Sequence, residues 1–160
     1  MAAADSGASV LTRYKRKGVS GLRDFAALLE STPQDRRKKI LDAALADDPR
    51  YVELAQKYMY VFEDVFKLPA HELDIVLGTV PPRLLGMALK GTEESVLRSI
   101  LNQSQPRVRS GIQEVLEENL TPVQISGARY KVLETLRMLE RKGDILTKAI
   151  PAKMPPGFES

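Results

Sequence analysis

Prolines and helix-capping residues recur at short intervals along this chain, and they limit how long any helix can be. Proline fits the first turn of a helix but disrupts its interior, so a proline after a polar residue marks a helix start. Thr32-Pro33 and Asp48-Pro49 both have this form. Other starts are expected at Ser20, Pro69, Pro81-Pro82, Thr92, Pro106 and Ser126. The pattern predicts short helices with brief connections.

Apolar residues between these signals follow the helical spacing, as in Leu22, Phe25, Ala26 and Leu29. No segment shows the sustained alternation of a strand, so we predict an all-α fold of about eight short helices. The segment "LLESTP" at 28–33 resembles "VLGTVP" at 76–81, and the two begin 48 residues apart. Helix pairs that recur near this interval favour an armadillo-like right-handed stack over a four-helix bundle.

The net charge of +3 arises from the N-terminal residues. Residues 1–18 contain four basic side chains and one acidic one, whereas residues 19–160 contain 20 of each sign. A neutral domain with a short basic arm is a weak match for a polyanion, so no nucleic-acid partner is expected. We predict that residues 1–18 form a disordered basic arm. Contact of this arm with an acidic partner or a membrane surface is the alternative.

The residues needed for catalysis, cofactors or metal binding are scarce. Cysteine is absent, which excludes disulfides and thiolate metal sites. The single histidine, His71 in "PAHELD", lacks the second histidine of a metalloprotease motif. No glycine-rich phosphate loop occurs, so we predict no enzyme and no cofactor. No apolar run reaches the length of a membrane span or signal peptide, which predicts a cytoplasmic protein.

Four of the nine aromatic residues fall within "YMYVFEDVF" at 58–66, between two sets of predicted helices. Such an apolar run is either a buried connector within one core or a hinge that docks on either of two bodies. From the residues alone we favour the buried connector.

Longer stretches resemble the flagellar motor switch protein FliG family, over about residues 18–148. The resemblance rests on "YMYVFEDVFKL" and on "MALKGTEESVLRSILNQSQPRVRSGIQEVLEENLTPVQIS". It implies an armadillo-like helical segment at 19–58, a hinge at 59–66 and a C-terminal helical domain at 67–148. The proline-rich composition of 149–160 separately predicts a flexible tail. The hinge motif M-x-V-F of the family matches Met59, Tyr60, Val61 and Phe62.

The resemblance also implies a charged ridge that faces the stator of the motor. The family's ridge charges match Lys90 in "ALKG", Arg107 and Glu114, and all three side chains are expected to face solvent. Two further charged positions of the family are occupied here by Val115 and Gln124. Independently of the resemblance, a seven-residue spacing puts Arg107 and Glu114 on one helical face.

The expected function is that of a FliG-like rotor and switch component of the bacterial flagellar motor, used in torque generation and chemotactic switching. The implied partners are other switch proteins, the cytoplasmic loop of the stator and further copies in a ring. Membrane contact is expected to be indirect, at the cytoplasmic face of the inner membrane in the flagellar basal body. No counterpart of the family's N-terminal and middle domains is recognised in this sequence, so we expect either a stand-alone short homologue or a fragment. The alternative to the motor function is a shortened paralogue that acts as a protein-binding adaptor outside the motor.

Overall fold

The computed structural model describes residues 11–158, which contain helices and connecting turns but no strand. Residues 11–16 are helical. They are followed by α1 (Val19–Ser31), α2 (Gln34–Asp47), α3 (Pro49–Tyr58), a 3-10 helix (Phe62–Lys67), α4 (Ala70–Thr79), α5 (Pro82–Leu89), α6 (Glu94–Gln103), α7 (Pro106–Leu116) and α8 (Pro122–Arg141). The predicted all-α class is confirmed for the described residues.

Most predicted helix starts agree with the structure. Helix α3 begins at Pro49, and the carboxylate of Asp48 accepts a hydrogen bond from the backbone N–H of Tyr51 at 3.2 Å. Helices α5 and α7 begin at Pro82 and Pro106. In each case proline supplies a helical φ at a position whose N–H has no partner within the helix.

The predicted cap at Ser126 is wrong, because α8 begins four residues earlier at Pro122. Thr121 and Gln124 form a reciprocal capping box. The backbone N–H of Gln124 donates to the Thr121 hydroxyl at 3.2 Å, and the backbone N–H of Thr121 donates to the Gln124 side chain at 2.8 Å. Two satisfied N–H groups favour this start over a lone serine.

The chain divides into two compact units. The first extends to Tyr60 and includes the segment that begins at Lys148, and the second is Val61–Thr147. The division after Tyr60 lies inside the predicted hinge segment, 59–66. The chain also passes from one unit to the other between Thr147 and Lys148, a second connection that the sequence did not predict.

The two predicted terminal segments differ in part from expectation. Residues 1–10 of the arm lie outside the described residues, but 11–16 form a helix in which Leu11 is buried. The segment predicted as a tail belongs to the first unit as far as it is described. Ile150 is buried there, and the ring of Phe158 lies 4.9 Å from the guanidinium carbon of Arg50.

The core of the first unit is centred on Phe25, which contacts two tyrosine rings. The centroid of its ring lies 5.2 Å from that of Tyr14 and 5.8 Å from that of Tyr51. The residues predicted to line this face of α1 are all fully buried: Leu22, Phe25, Ala26 and Leu29. The helical spacing therefore identified this part of the core.

The second unit is built around α5, which packs against both α7 and α8. Gly86 lets α5 approach α7 closely. A Cβ at this position would lie 2.8 Å from Cβ of Val115 and 3.0 Å from the carbonyl oxygen of Ile112. Such separations are shorter than van der Waals contact, so a larger residue would force the two helices apart.

The buried carboxylate of Glu72 on α4 binds the C-terminal end of the second unit. Glu72 is 3% exposed and accepts hydrogen bonds from the backbone N–H of Leu146 at 2.9 Å and the hydroxyl of Thr147 at 2.7 Å. The backbone N–H of Thr147 donates to it at 3.4 Å. Burial raises the pKa of Glu72, but these hydrogen bonds together outweigh burial and lower it below its ordinary value.

Candidate protein interface

One face of α7 carries exposed charges, and the opposite face lies in the core. Arg107 and Glu114 are exposed and seven residues apart, which puts them on the same side of the helix. The buried residues of α7 are Val108, Ile112 and Val115. This arrangement agrees with the face predicted from the sequence spacing.

Arg107 forms no side-chain hydrogen bond or ion pair with any residue in the described range, 11–158. Two acids at the start of α6 also have other partners: Glu93 accepts from the hydroxyl of Ser95 at 2.7 Å, and Glu94 pairs with Arg98 at 3.1 Å. Arg107 also occupies the first turn of α7, where the helix dipole is mildly unfavourable to a cation. Intramolecular stability therefore gives no reason for an arginine here.

An ion pair that the sequence analysis missed lies beside this face. Arg83 of α5 donates two hydrogen bonds to the carboxylate of Glu118, at 2.8 and 3.0 Å. The pairing raises the pKa of Arg83 and lowers that of Glu118. The negative charge of Glu114 also raises the pKa of Arg83, so the three side chains form one exposed charged group.

Lys90 differs from the expected solvent-facing position. It follows the last residue of α5, is half-buried, and its ammonium group donates to the backbone carbonyl of Leu116, the last residue of α7. The final carbonyls of a helix have no partner within it, so Lys90 satisfies one of them. Its charge also lowers the pKa of Glu118, which keeps Lys90 electrostatically connected to the exposed group.

The two positions that lack an expected charge both have structural roles. Val115 is 2% exposed and lies against Gly86 in the contact between α5 and α7. Gln124 closes the capping box of α8. A charge at the first position would be buried, and a change at the second would remove a cap.

Arg129 of α8 links this region to the predicted hinge. Its guanidinium donates to the carbonyl oxygens of Ala88 at 2.9 Å and Lys90 at 3.1 Å. The guanidinium carbon lies 4.7 Å from the centre of the Phe62 ring, which in turn packs edge-on against Phe66 at 5.4 Å. One half-buried side chain therefore connects the Phe62 ring to the backbone of Lys90.

Neither metal binding nor membrane crossing is apparent in the described part of the chain. Residues 11–158 contain no group of three or more histidine, aspartate or glutamate side chains able to hold a metal ion. Within the same range no helix has both the length and the apolar character needed to span a bilayer.

Comparison with known proteins identifies the family. A family model described as the FliG C-terminal domain matches residues 43–146. This chain belongs to the FliG C-terminal domain family. The match includes the segment 59–62, predicted as a hinge, and the three predicted ridge residues. The family is structural and non-catalytic, which agrees with the prediction that the chain is not an enzyme.

Curated relatives show a similarity longer than that match. The chain is 28% identical over 131 residues to the flagellar motor switch protein FliG of Thermotoga maritima, covering 80% of this chain and 39% of the relative. It is 28% identical over 140 residues to FliG of Helicobacter pylori, covering 86% and 40%. The chain thus spans about two fifths of the length of these relatives.

A crystal structure of FliG residues 86–343 from H. pylori is similar in fold, with a TM-score of 0.60 and 23% sequence identity. The similarity covers 79% of this chain and 60% of that one. It supports the all-α fold, and at this level of identity it says nothing about individual side chains.

Proposed function

We propose that this chain is a rotor and switch component of the bacterial flagellar motor that acts through protein contacts and catalyses no reaction. The observation that carries the proposal is Arg107. It is exposed, has no partner within residues 11–158, occupies an unfavourable end of its helix, and shares a face with Glu114. A residue of this kind is better explained by a partner than by folding.

The charged face, defined as Arg107, Glu114 and the adjoining Lys90, contacts the cytoplasmic loop of the stator in this proposal. Exposed ion pairs contribute about 0–1 kcal/mol each, so they form and break easily. Weak contacts suit a surface that exchanges partners at each step. Torque then arises from sequential pairing as ion flow moves the stator, and the chain itself supplies only correctly placed charges.

The hinge proposal concerns Met59, Tyr60, Val61 and Phe62. In the first unit, the ammonium of Lys148 donates to the backbone carbonyl of Met59 at 2.8 Å. The backbone N–H of Tyr60 donates to the carboxylate of Glu30, also at 2.8 Å. Val61 and Phe62 belong to the second unit. A boundary between two units that falls inside an apolar run is typical of a hinge. Chemotactic switching would involve movement at this hinge.

The proposed setting follows from the family. The first unit is proposed to be an armadillo-like stack that binds other switch proteins, with further copies of the chain forming a ring. The complex would lie at the cytoplasmic face of the inner membrane, in the flagellar basal body, and membrane contact would be indirect.

A paralogue that acts as a protein-binding adaptor outside the motor is the second candidate. The observations that favour it are Val115 and Gln124, which replace two charges and are both committed to structure, and the half-buried position of Lys90. Deleting the gene and scoring swimming separates the two candidates. Loss of swimming that is restored by the wild-type gene supports the motor component, whereas a deletion strain that swims normally supports the adaptor.

A further inference from the structure

Basic residues are concentrated in the first unit, which the totals for the whole chain conceal. Its described residues, 11–60 and 148–158, contain 13 basic and 7 acidic side chains. The second unit, Val61–Thr147, contains 11 basic and 12 acidic ones. The neutrality of residues 19–160 therefore averages a basic body with a slightly acidic one. An electropositive unit attracts anionic partners.

Part of this positive charge lines a cleft of about 330 Å³ in the first unit. The cleft lies between the helical residues 11–16, the start of α3 and the segment 154–158. Its walls carry three cations, those of Lys15, Arg16 and Arg50, and one acid, Asp48. Met154 and Phe158 add apolar surface. A cleft of this size with a few polar groups on apolar walls is typical of a binding site.

The cations of the cleft differ in their pairing. Lys15 forms an ion pair with Asp48 at 2.6 Å, and this contact lowers the pKa of Asp48. Neither arginine forms an ion pair with a described residue. Arg16 is exposed, and Arg50 contacts the face of the Phe158 ring. Two guanidinium groups are thus available to carboxylates, which they bind in a bidentate manner.

Tyr51 supplies a buried part of the cleft wall. It is 1% exposed, and its hydroxyl has no hydrogen-bond partner within residues 11–158. Burial raises its pKa to about 12, so the group remains a neutral hydrogen-bond donor at physiological pH.

We propose that this cleft binds an acidic peptide segment of a partner protein, with carboxylates on Arg16 and Arg50 and an apolar side chain against Met154 and Phe158. The concave shape favours a peptide over a bilayer, because a flat array of lipid headgroups does not enter a narrow cleft. One compact site also lacks the extended track of cations that a nucleic-acid backbone follows. The proposal does not depend on the motor function.

The test uses a fluorescently labelled ten-residue peptide of aspartates and glutamates around one phenylalanine. Its binding to the whole chain is measured by fluorescence anisotropy. The Arg16→Glu/Arg50→Glu double variant is expected to weaken binding by about tenfold or more. The matched control is Arg36→Glu/Lys38→Glu. It makes the same change of charge in the same unit at exposed residues of α2, which do not line the cleft. It is expected to change affinity by about twofold through long-range electrostatics alone.

Equal losses in the two double variants would overturn the proposal, because they would show non-specific attraction to a basic surface. Absence of peptide binding by the wild-type chain at low salt would overturn it as well. Vesicles of phosphatidylglycerol and a DNA duplex are measured in parallel. Selective loss of either interaction in the cleft variant, with the peptide unaffected, would assign the cleft to that ligand. Circular dichroism and the milder Arg16→Gln/Arg50→Gln pair separate loss of binding from misfolding.

Discussion

Replacing Arg129 by methionine tests whether one side chain fastens the Phe62 ring to the end of α5. Methionine keeps an unbranched apolar stem against Phe62 but removes the guanidinium that contacts the ring at 4.7 Å. It also removes the hydrogen bonds to the carbonyls of Ala88 and Lys90 at 2.9 and 3.1 Å. The variant thus deletes three interactions and leaves most of the packing in place.

The expected cost can be worked out from these contacts. Each hydrogen bond from a charged donor contributes about 1.5 kcal/mol at the lower end of its range, and the contact with the ring adds about 0.5–1 kcal/mol. Arg129 is half-buried, so partial access of water to the freed carbonyls offsets some of this loss. We therefore expect the free energy of unfolding of the second unit to fall by about 2–4 kcal/mol.

Urea unfolding and amide hydrogen exchange measure this effect, with Lys131→Met as the control. Lys131 is an exposed residue of the same helix, and its replacement is expected to change stability by about 0.5 kcal/mol or less. Exchange should accelerate at the end of α5, including the amide of Thr92, which donates to Leu89 at 3.0 Å. Equal stability of the two variants, or unchanged exchange at Thr92, would refute the proposed link.

Three further predictions concern stability. Phe62→Ala should cost about 3–5 kcal/mol, because the ring is 9% exposed; a loss below about 1 kcal/mol in urea unfolding would show that the ring contributes little packing. Gly86→Ala should cost about 1–2 kcal/mol, since overpacking against Val115 exceeds the gain in helix propensity, and a higher melting temperature would contradict this. Glu72 should stabilise the chain fully above its ordinary pKa of 4.5, with the contribution lost as the pH falls below 4.5 through the lowered folded value. Glu72→Gln should therefore flatten the decline of the melting temperature in acid, and parallel pH profiles would argue against the assignment.

The all-α fold class and most helix starts could be predicted because they depend on local sequence. A proline at the first helical position and Asp48 before it favour a helix start whatever the rest of the fold is. The helical spacing of the apolar residues around Phe25 likewise predicts a buried face. The start of α8 is also marked by local sequence, although it was predicted at Ser126. Thr121-Pro122-Val123-Gln124 already has the spacing of a capping box, and Ser126 has no such partner.

The contacts that the sequence did not predict are those between distant positions. Arg83 pairs with Glu118, 35 residues away, and Arg129 reaches the carbonyl of Ala88, 41 residues away. No local pattern marks such side chains, because packing of helices brings them together. The segment ending at Phe158 shows the same limit: its proline-rich composition suggested a mobile tail, but its ring lies on Arg50.

Charge reversal at Arg107 tests the proposed motor contact most directly. Arg107→Glu is introduced into the chromosomal gene and compared with Lys131→Glu, which makes the same kind of change at an exposed site outside the charged face. Swimming speed is measured with and without charge-reversing substitutions in the cytoplasmic loop of the stator, and the melting temperature of each purified variant is recorded. We predict a nearly unchanged melting temperature for Arg107→Glu, impaired swimming, and recovery when a stator acid is replaced by a base, with normal swimming for Lys131→Glu. Normal swimming of the Arg107→Glu strain, or a melting temperature several degrees lower, would contradict the assignment of Arg107 to a stator contact.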